Sequence, residues 1–346
     1  MIVSGVVRVV SLIALATSLV PFWRGDGSST APNSVARLQP PSGTVRTDTF
    51  WAQSLGTTKA LTVYLPPSYS ASPNRRYPVL VYLHGLRGNE RNWVDVGRID
   101  KVLDSLFAAG KPEAIVVMPD GDDGWYTTWN QLPDLAGCRA DTSRAERAES
   151  YCVPWPHYDD YIASDVVKHV DQRYRTRADR AHRGIAGLSM GGLGAISLAF
   201  AYPDVFAAAA SHSGVVSPML LPRAPNAASS AMRHATTRTE LEAASRGRWN
   251  AMSPAFGKDT IGWAARDPAR IAVRVLNQKT ANLPRVLIDC GVDDALLDQN
   301  RDLHVALQRL GVSHQYAEWP GAHTWDYWRA HVPQSLDFLL TAVTAP

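Results

Sequence analysis

Residues 187–191, Gly-Leu-Ser-Met-Gly, constrain the fold of this 346-residue chain more than any other segment. They follow a short apolar run and precede Leu193, Ile196 and Phe200, which lie on one face at helical spacing. A glycine–x–serine–x–glycine sequence at a strand-to-helix turn holds its serine in an exposed, strained conformation. Glycine is needed on both sides because a Cβ atom there would collide with the neighbouring strand and helix. The pattern predicts a strand, a sharp turn at Ser189 and a helix; the alternative is a tight turn with an incidental serine.

The rest of the chain repeats this alternation of apolar strands and amphipathic helices. Candidate strands lie at residues 46–55, 60–65, 77–83, 114–118, 183–186, 205–210, 286–290 and 315–319. The first two read as an antiparallel hairpin at one edge, and the later ones as buried strands separated by helices. This order predicts an α/β fold with a mostly parallel central sheet and helices on both faces. Functional groups in such sheets gather at the carboxyl ends of the strands.

Two segments do not fit the alternation. In residues 1–40 an arginine precedes an apolar stretch at residues 9–23 and a Gly/Ser-rich segment follows, which is typical of an export signal and a flexible tether. The stretch is short for a membrane span of about 20 residues, and no clean cleavage site follows it at once, so an uncleaved anchor stays open. We expect a secreted or extracytoplasmic protein. Residues 41–346 are expected to form a single domain with an insertion at about 215–284, either a cap over the site or a surface excursion.

Composition excludes several classes of function. The net charge is only +3 and the arginines are scattered, which argues against a nucleic-acid-binding protein. No segment after the N-terminal one is long and apolar enough to span a membrane. Cys138 and Cys152 flank a polar loop and could form a disulfide in an exported protein, with two free thiols as the alternative. Cys290 reads as a small buried residue. The cysteine and histidine spacings match no metal site, so neither a metal nor a cofactor is expected.

A nucleophilic serine needs a base and an acid beside it. Of the ten histidines, His323 is the best placed because it follows the last predicted strand and so reaches the edge where Ser189 is expected. Asp293 and Asp294 follow the strand at residues 286–290 and reach the same edge. One of them would orient the imidazole, and the other would cap the next helix.

Two backbone N–H groups are also needed where a carbonyl oxygen becomes negatively charged. One is expected from Met190, directly after the serine. The other is expected from residues 84–88, His-Gly-Leu-Arg-Gly, after the strand at 77–83, although this segment also reads as a simple turn. The aromatic residues Trp93, Trp125 and Trp129 are candidates for pocket walls, with packing as the alternative.

These motifs resemble the esterase D-like branch of the α/β-hydrolases. This branch includes S-formylglutathione hydrolases, tributyrin and feruloyl esterases, and the antigen 85 mycolyltransferases. The resemblance covers most of the chain after about residue 45 and rests on residues 82–86, 118–121, 187–192, 291–294 and 320–325. It implies an α/β-hydrolase fold with the chain order serine, aspartate, histidine. It selects Asp294 over Asp293 as the acid and His323 as the base. It also assigns the oxyanion donors to Leu86 and Met190.

The resemblance implies a serine carboxylesterase that forms an acyl-enzyme on Ser189 and acts on small-molecule or glycan-linked esters. The N-terminal segment adds the expectation that this esterase is exported. The export signal argues against a cytosolic thioesterase. An acyltransferase, which would pass the acyl group to a sugar or glycerol hydroxyl, would use the same three residues. A non-catalytic binding protein is the weaker alternative, because such a protein need not keep nucleophile, acid and base together.

Overall fold

A computed structural model describes residues 42–142, 147–222, 232–278 and 282–344. The predicted signal and tether at residues 1–40 lie outside the described residues. The strands are β1 (Thr44–Ala52), β2 (Thr57–Leu65), β3 (Val79–Leu83), β4 (Ile115–Pro119), β5 (Arg183–Leu188), β6 (Ala208–His212), β7 (Arg285–Gly291) and β8 (His314–Trp319). The helices are α1 (Asn92–Asp95), α2 (Ile99–Ala108), α3 (Leu135–Ala140), α4 (Ala148–Tyr151), α5 (Tyr158–Asp160), α6 (Val167–Arg173), α7 (Met190–Ala201), α8 (Arg238–Ala244), α9 (Trp249–Phe256), α10 (Thr260–Ala265), α11 (Pro268–Asn277), α12 (Leu297–Arg309) and α13 (Trp325–Thr344). None of the helices described here is long and apolar enough to cross a bilayer.

These strands form one sheet with the order β1-β2-β4-β3-β5-β6-β7-β8. The pairs β1–β2 and β2–β4 are antiparallel, and all other neighbours are parallel. The prediction of a mostly parallel sheet with a hairpin at one edge is therefore confirmed. The chain winds from β3 to β4 on one side and from β5 to β8 on the other, so its direction reverses between β3 and β5. Ligands of open α/β sheets bind at such a point, outside the carboxyl ends of the strands.

Helices cover both faces of the sheet because alternate strand side chains point to opposite faces. On one face α7, α11 and α12 pack with strand residues such as Val81 and Ile185. On the other face α2 and α13 pack with residues such as Tyr82 and Ala186. A strand that is buried on both faces needs apolar side chains at every position, which explains the continuous apolar runs in the sequence.

The largest differences from the predicted strand boundaries are three residues and lie in β6 and in the edge hairpin. The run at residues 205–210 contributes only its second half to β6, because the N–H groups of Val205 and Phe206 donate to the carbonyl of Tyr202 at 2.9 and 3.4 Å. The first half therefore closes the turn after α7. In the edge hairpin Gly56 adopts a φ of +65° and closes the turn, so Thr57 already pairs within β2.

The segment between β6 and β7 contains α8 to α11, with residues 223–231 and 279–281 outside the described ranges. Its helix α11 packs against α7 and buries Ile271, Ala272 and Val275. The insertion therefore shares the core of the sheet face that carries α7. The helices α8, α9 and α10 have only 7, 8 and 6 residues, which leaves little length in which a helical period can be recognised.

A disulfide joins Cys138 to Cys152, whose Cα atoms are 5.7 Å apart. It connects α3 with the residue after α4 in the long connection from β4 to α5; residues 134–152 are called the disulfide arm below. Neither α3 nor α4 contributes a buried side chain. The disulfide, rather than apolar packing, therefore ties these two helices together. Cys290 is a buried free thiol.

Opening the disulfide should lower the free energy of unfolding by about 3 kcal/mol, because closing a loop of about 15 residues restricts the unfolded chain by that amount. Chemical denaturation with and without a thiol reductant measures the difference. The double variant Cys138→Ser/Cys152→Ser is the control, since it should be less stable and insensitive to the reductant. A wild-type protein whose stability does not change on reduction would contradict the expectation.

Candidate active site

Ser189 occupies the turn between β5 and α7 in a strained conformation, with φ +55° and ψ −116°. Few residues with a side chain adopt this combination, and it costs roughly 1–3 kcal/mol. Its N–H donates to the carbonyl of His212 at 3.0 Å, which holds the turn against β6. A Cβ atom on Gly187 would lie against the Gly191 carbonyl, as the sequence pattern predicts. Within the turn from β5 to α7, the residue with a left-handed φ is thus the serine itself.

The structure brings His323 and Asp294 to Ser189. His323 Nε2 lies 2.9 Å from Ser189 Oγ, and His323 Nδ1 lies 2.8 Å from Asp294 Oδ2. Because the carboxylate can only accept, Nδ1 carries the proton and Nε2 is left to accept the hydroxyl proton of Ser189. The three side chains come from the loops after β5, β7 and β8. This is the arrangement in which an imidazole can activate a serine.

Asp294 is held as a carboxylate. Its side chain is fully buried, its Oδ2 faces His323, and its Oδ1 accepts the N–H of Leu296 at 2.8 Å. Burial by itself would raise the pKa of Asp294, but the hydrogen bond and charge of His323 and the Leu296 N–H hold it below its usual value. The neighbouring Asp293 is exposed, and its N–H donates to the carbonyl of Gly321. Of the two aspartates, Asp294 is the one that faces the histidine.

The segment expected to supply an oxyanion donor lies directly beside the serine. The register of β3 and β5 pairs Leu83 with Gly187, so the loops that follow these strands are neighbours. A Cβ atom on Gly85 would lie 2.7 Å from Leu188 Cδ1 and 3.4 Å from Ser189 Cβ, so a side chain here would have to displace that of Leu188. Leu86 borders the same cavity as Ser189. Met190 begins α7, so its N–H has no carbonyl of a preceding turn to bond.

An open cavity of about 720 Å³ surrounds Ser189 and His323. The α13 residues Trp325 and Trp328 form its aromatic wall, and the Trp328 ring meets the His323 ring edge to face at 4.9 Å. The insertion supplies another wall, formed by Gly247, Arg248, Asn250 and Ala251. The side chains that bound a substrate therefore come from elements that lie outside the sheet.

The structure places the three tryptophans that the sequence suggested as pocket walls away from the cavity. Trp93 is 1% exposed in the core beside α13, where its Nε1–H donates to the carbonyl of Leu83. Trp125 is equally buried, and its Nε1–H donates to the carbonyl of Ala251. Trp129 donates to Gly124 within its own loop. None of the three borders the cavity around Ser189.

The aromatic wall residues Trp325 and Trp328 were missed by the sequence analysis, although a signal for them exists. They follow His323 in the first turn of α13 at a spacing of three, which places both on one side of the helix. A residue pair at this spacing directly after a candidate base is close enough to the reacting groups to contact a substrate.

A second serine–histidine–aspartate arrangement lies behind the turn. Asp289 Oδ2 is 2.7 Å from His212 Nδ1, and His212 Nε2 is 2.7 Å from Ser335 Oγ. All three residues are at most 1% exposed, so no substrate can reach Ser335. The side chain of His323, by contrast, is 29% exposed. Accessibility therefore singles out Ser189.

Within the described ranges no three His, Cys, Asp or Glu side chains are arranged to hold a metal ion.

The rate at which Ser189 reacts with a fluorophosphonate should fall on acidification, because a protonated His323 cannot accept the serine proton. Since the pKa of Asp294 is held below its usual value, this carboxylate stays ionised, and the fall should reflect a single proton, about tenfold per pH unit. Labelling rates measured at a series of pH values test this. A steeper, two-proton dependence would contradict it.

Asp294→Asn should slow labelling roughly 10⁴-fold near neutral pH, because the amide favours the wrong tautomer of His323.

The family model described as "Putative esterase" matches residues 52–339 of the chain. An endo-1,4-β-xylanase/feruloyl esterase of Xylanibacter ruminicola is 28% identical over 167 residues, which are 47% of this chain and 20% of that protein. Esterase Rv1288 of Mycobacterium tuberculosis is 32% identical over 169 residues, which are 49% of this chain and 32% of that protein. The chain thus spans between a fifth and a third of the length of these curated relatives.

Solved structures show the same architecture. A ferulic acid esterase is 27% identical in sequence and superposes with a TM-score of 0.59, covering 87% of this chain and 99% of that one. The α/β-hydrolase fold predicted from the sequence is confirmed. The family model described as "Putative esterase" matches the chain over most of the chain's length. The chain therefore belongs to this esterase family, as the motif resemblance indicated.

Proposed function

We propose that the protein hydrolyses carboxylic esters through an acyl-enzyme on Ser189. The observation that carries this proposal is the hydrogen-bonded series from Ser189 Oγ through His323 to Asp294, which opens into a cavity. Membership of the esterase family supports the reaction class. The buried arrangement around Ser335 has similar distances but no access, so it does not compete.

In the first step Ser189 Oγ attacks the ester carbonyl while its proton passes to His323 Nε2. Asp294 remains ionised and stabilises the imidazolium through Nδ1–H. The carbonyl oxygen becomes an oxyanion, to which the N–H groups of Leu86 and Met190 donate. Each such donor contributes roughly 10²–10³ in rate in measured cases.

In the second step the tetrahedral intermediate collapses. His323 returns its proton to the departing alkoxide, so the alcohol leaves and Ser189 carries the acyl group. Water then takes the place of the alcohol, His323 accepts its proton, and a second tetrahedral intermediate releases the carboxylic acid and restores the serine hydroxyl.

The substrate class is a small-molecule or glycan-linked ester, since the cavity is open and has both an aromatic and a polar wall. Transfer of the acyl group to a sugar or glycerol hydroxyl would use the same residues, but no feature of the described residues favours it. The disulfide between Cys138 and Cys152 supports action outside the cytoplasm, because such bonds persist in oxidising compartments.

Replacing Ser189 with alanine should abolish both hydrolysis of p-nitrophenyl acetate and labelling by a fluorophosphonate, because no nucleophile remains. Initial rates of p-nitrophenol release and mass spectrometry of the labelled protein measure the two effects. Ser335→Ala is the matched control: it removes the serine of the inaccessible arrangement and should leave labelling in place. Turnover that persists in Ser189→Ala, or a label found on Ser335, would overturn the proposal.

A further inference from the structure

The two proposed oxyanion donors lie on separate elements. Met190 begins α7, and Leu86 lies in the loop after β3, residues 84–88, which is called the oxyanion loop below. Both N–H groups must lie within about 3 Å of one oxygen atom to stabilise its charge. Something must therefore fix the separation of the oxyanion loop from α7.

The loop after β4, residues 120–126 (the β4 loop below), forms hydrogen bonds with the oxyanion loop on both sides of Leu86. The Gly121 N–H donates to His84 Nε2 at 2.9 Å, so the other ring nitrogen carries the proton and donates to its own loop. Tyr126 OH donates to the carbonyl of His84 at 3.1 Å. The Arg87 N–H donates to Asp123 Oδ1 at 2.6 Å. The residues before and after the Leu86 peptide are thus both held by the β4 loop.

Tyr126 also touches the helix that carries the nucleophile. It is 1% exposed, and its ring lies between Gly121 and Gly194 of α7. A Cβ atom on Gly194 would lie 2.6 Å from Tyr126 Cδ2, and one on Gly121 would lie 2.8 Å from Tyr126 Cζ. Tyr126 therefore contacts α7 with its ring and the oxyanion loop with its hydroxyl. It connects the two elements that carry the proposed donors.

The backbone of both loops is strained in a way that only specific contacts maintain. Left-handed φ values occur at Arg87 (+62°), Asp122 (+46°), Trp125 (+56°) and Tyr126 (+51°). Each such residue costs free energy and persists only where the surroundings determine its conformation.

The β4 loop is itself anchored by Lys59 of β2. The Lys59 side chain is fully buried, and its Nζ lies 2.7 Å from Asp120 and 2.8 Å from Asp122. It also donates to the carbonyl of Ser150 at 2.5 Å. The β4 loop that contacts the oxyanion loop is therefore itself held in place by Lys59.

We propose that Tyr126 and Asp123 are positioning residues, which set the separation of the Leu86 and Met190 N–H groups to fit one oxyanion. This inference rests on the proposed ester hydrolysis. Neither residue is expected to touch the reacting atoms. Their effect should appear when the oxyanion forms rather than when the ester binds.

The test uses two matched pairs of variants. Tyr126→Phe removes one hydroxyl, and Tyr202→Phe is its control, because the Tyr202 hydroxyl donates to Asp160 away from the oxyanion loop. Asp123→Ala removes the acceptor of the Arg87 N–H, whereas Asp123→Asn keeps an oxygen at that position. Active sites are first counted by complete fluorophosphonate labelling. Then kcat and KM for p-nitrophenyl acetate and the affinity for a trifluoromethyl ketone, which forms a tetrahedral adduct, are measured.

Tyr126→Phe and Asp123→Ala should each lose roughly 10- to 100-fold in kcat per active site, with KM little changed and ketone affinity reduced in parallel. Asp123→Asn and Tyr202→Phe should stay close to the wild type. Unchanged kcat per active site in Tyr126→Phe and Asp123→Ala would overturn the inference even if their melting temperatures fall, because a merely structural role predicts that result. An inert wild type with no label on Ser189 would instead overturn the proposed function, and this inference with it.

Discussion

The backbone at Ser189 is the constraint on which the rest of the site depends. A side chain held at φ +55° and ψ −116° projects beyond the sheet, and β5, α7 and the His212 carbonyl together hold it there. Every group that acts with this serine must then reach the same edge, which parallel strands accomplish because their carboxyl ends coincide. His323 and Asp294 arrive after β8 and β7, and Leu86 arrives after β3. The parallel sheet thus brings the other groups of the proposed site to the strained turn at Ser189.

Burial separates two arrangements that distances alone do not. Around Ser335 the polar groups lie inside the core, where the Ser335 hydroxyl donates to the Val332 carbonyl and lies 2.7 Å from His212 Nε2. Around Ser189 only Asp294 is fully buried, while His323 meets the cavity. In the proposed mechanism the partly exposed imidazole of His323 is the group that receives the serine proton. The difference in solvent exposure is therefore the reason why we propose Ser189, and not Ser335, as the nucleophile.

Much of this architecture could be predicted from the sequence, because strands buried on both faces and the glycine-flanked serine leave local signals. The residues that the structure brings together at Ser189 each follow the end of a strand. Their positions could be predicted because the strand ends themselves can be located in the sequence. The sequence-based choice of Trp93, Trp125 and Trp129 as pocket walls was wrong, since the face that a tryptophan takes depends on tertiary packing. Trp93 is a core residue because its indole N–H finds the Leu83 carbonyl inside the protein. Lys59 gave no signal at all, because its partners Asp120 and Asp122 lie far away in the sequence.

The buried ammonium of Lys59 links the β4 loop to the disulfide arm. An ammonium group has three N–H donors, and here they meet two carboxylates of the β4 loop and one carbonyl of the disulfide arm. Because Ser150 supplies that carbonyl close to Cys152, the arm completes the shell of a charge that is costly to leave unsatisfied. The Cys138–Cys152 disulfide thus places a covalent restraint on the segment that supplies one of the three acceptors of Lys59. In a reduced chain the same acceptor would be held by noncovalent contacts alone.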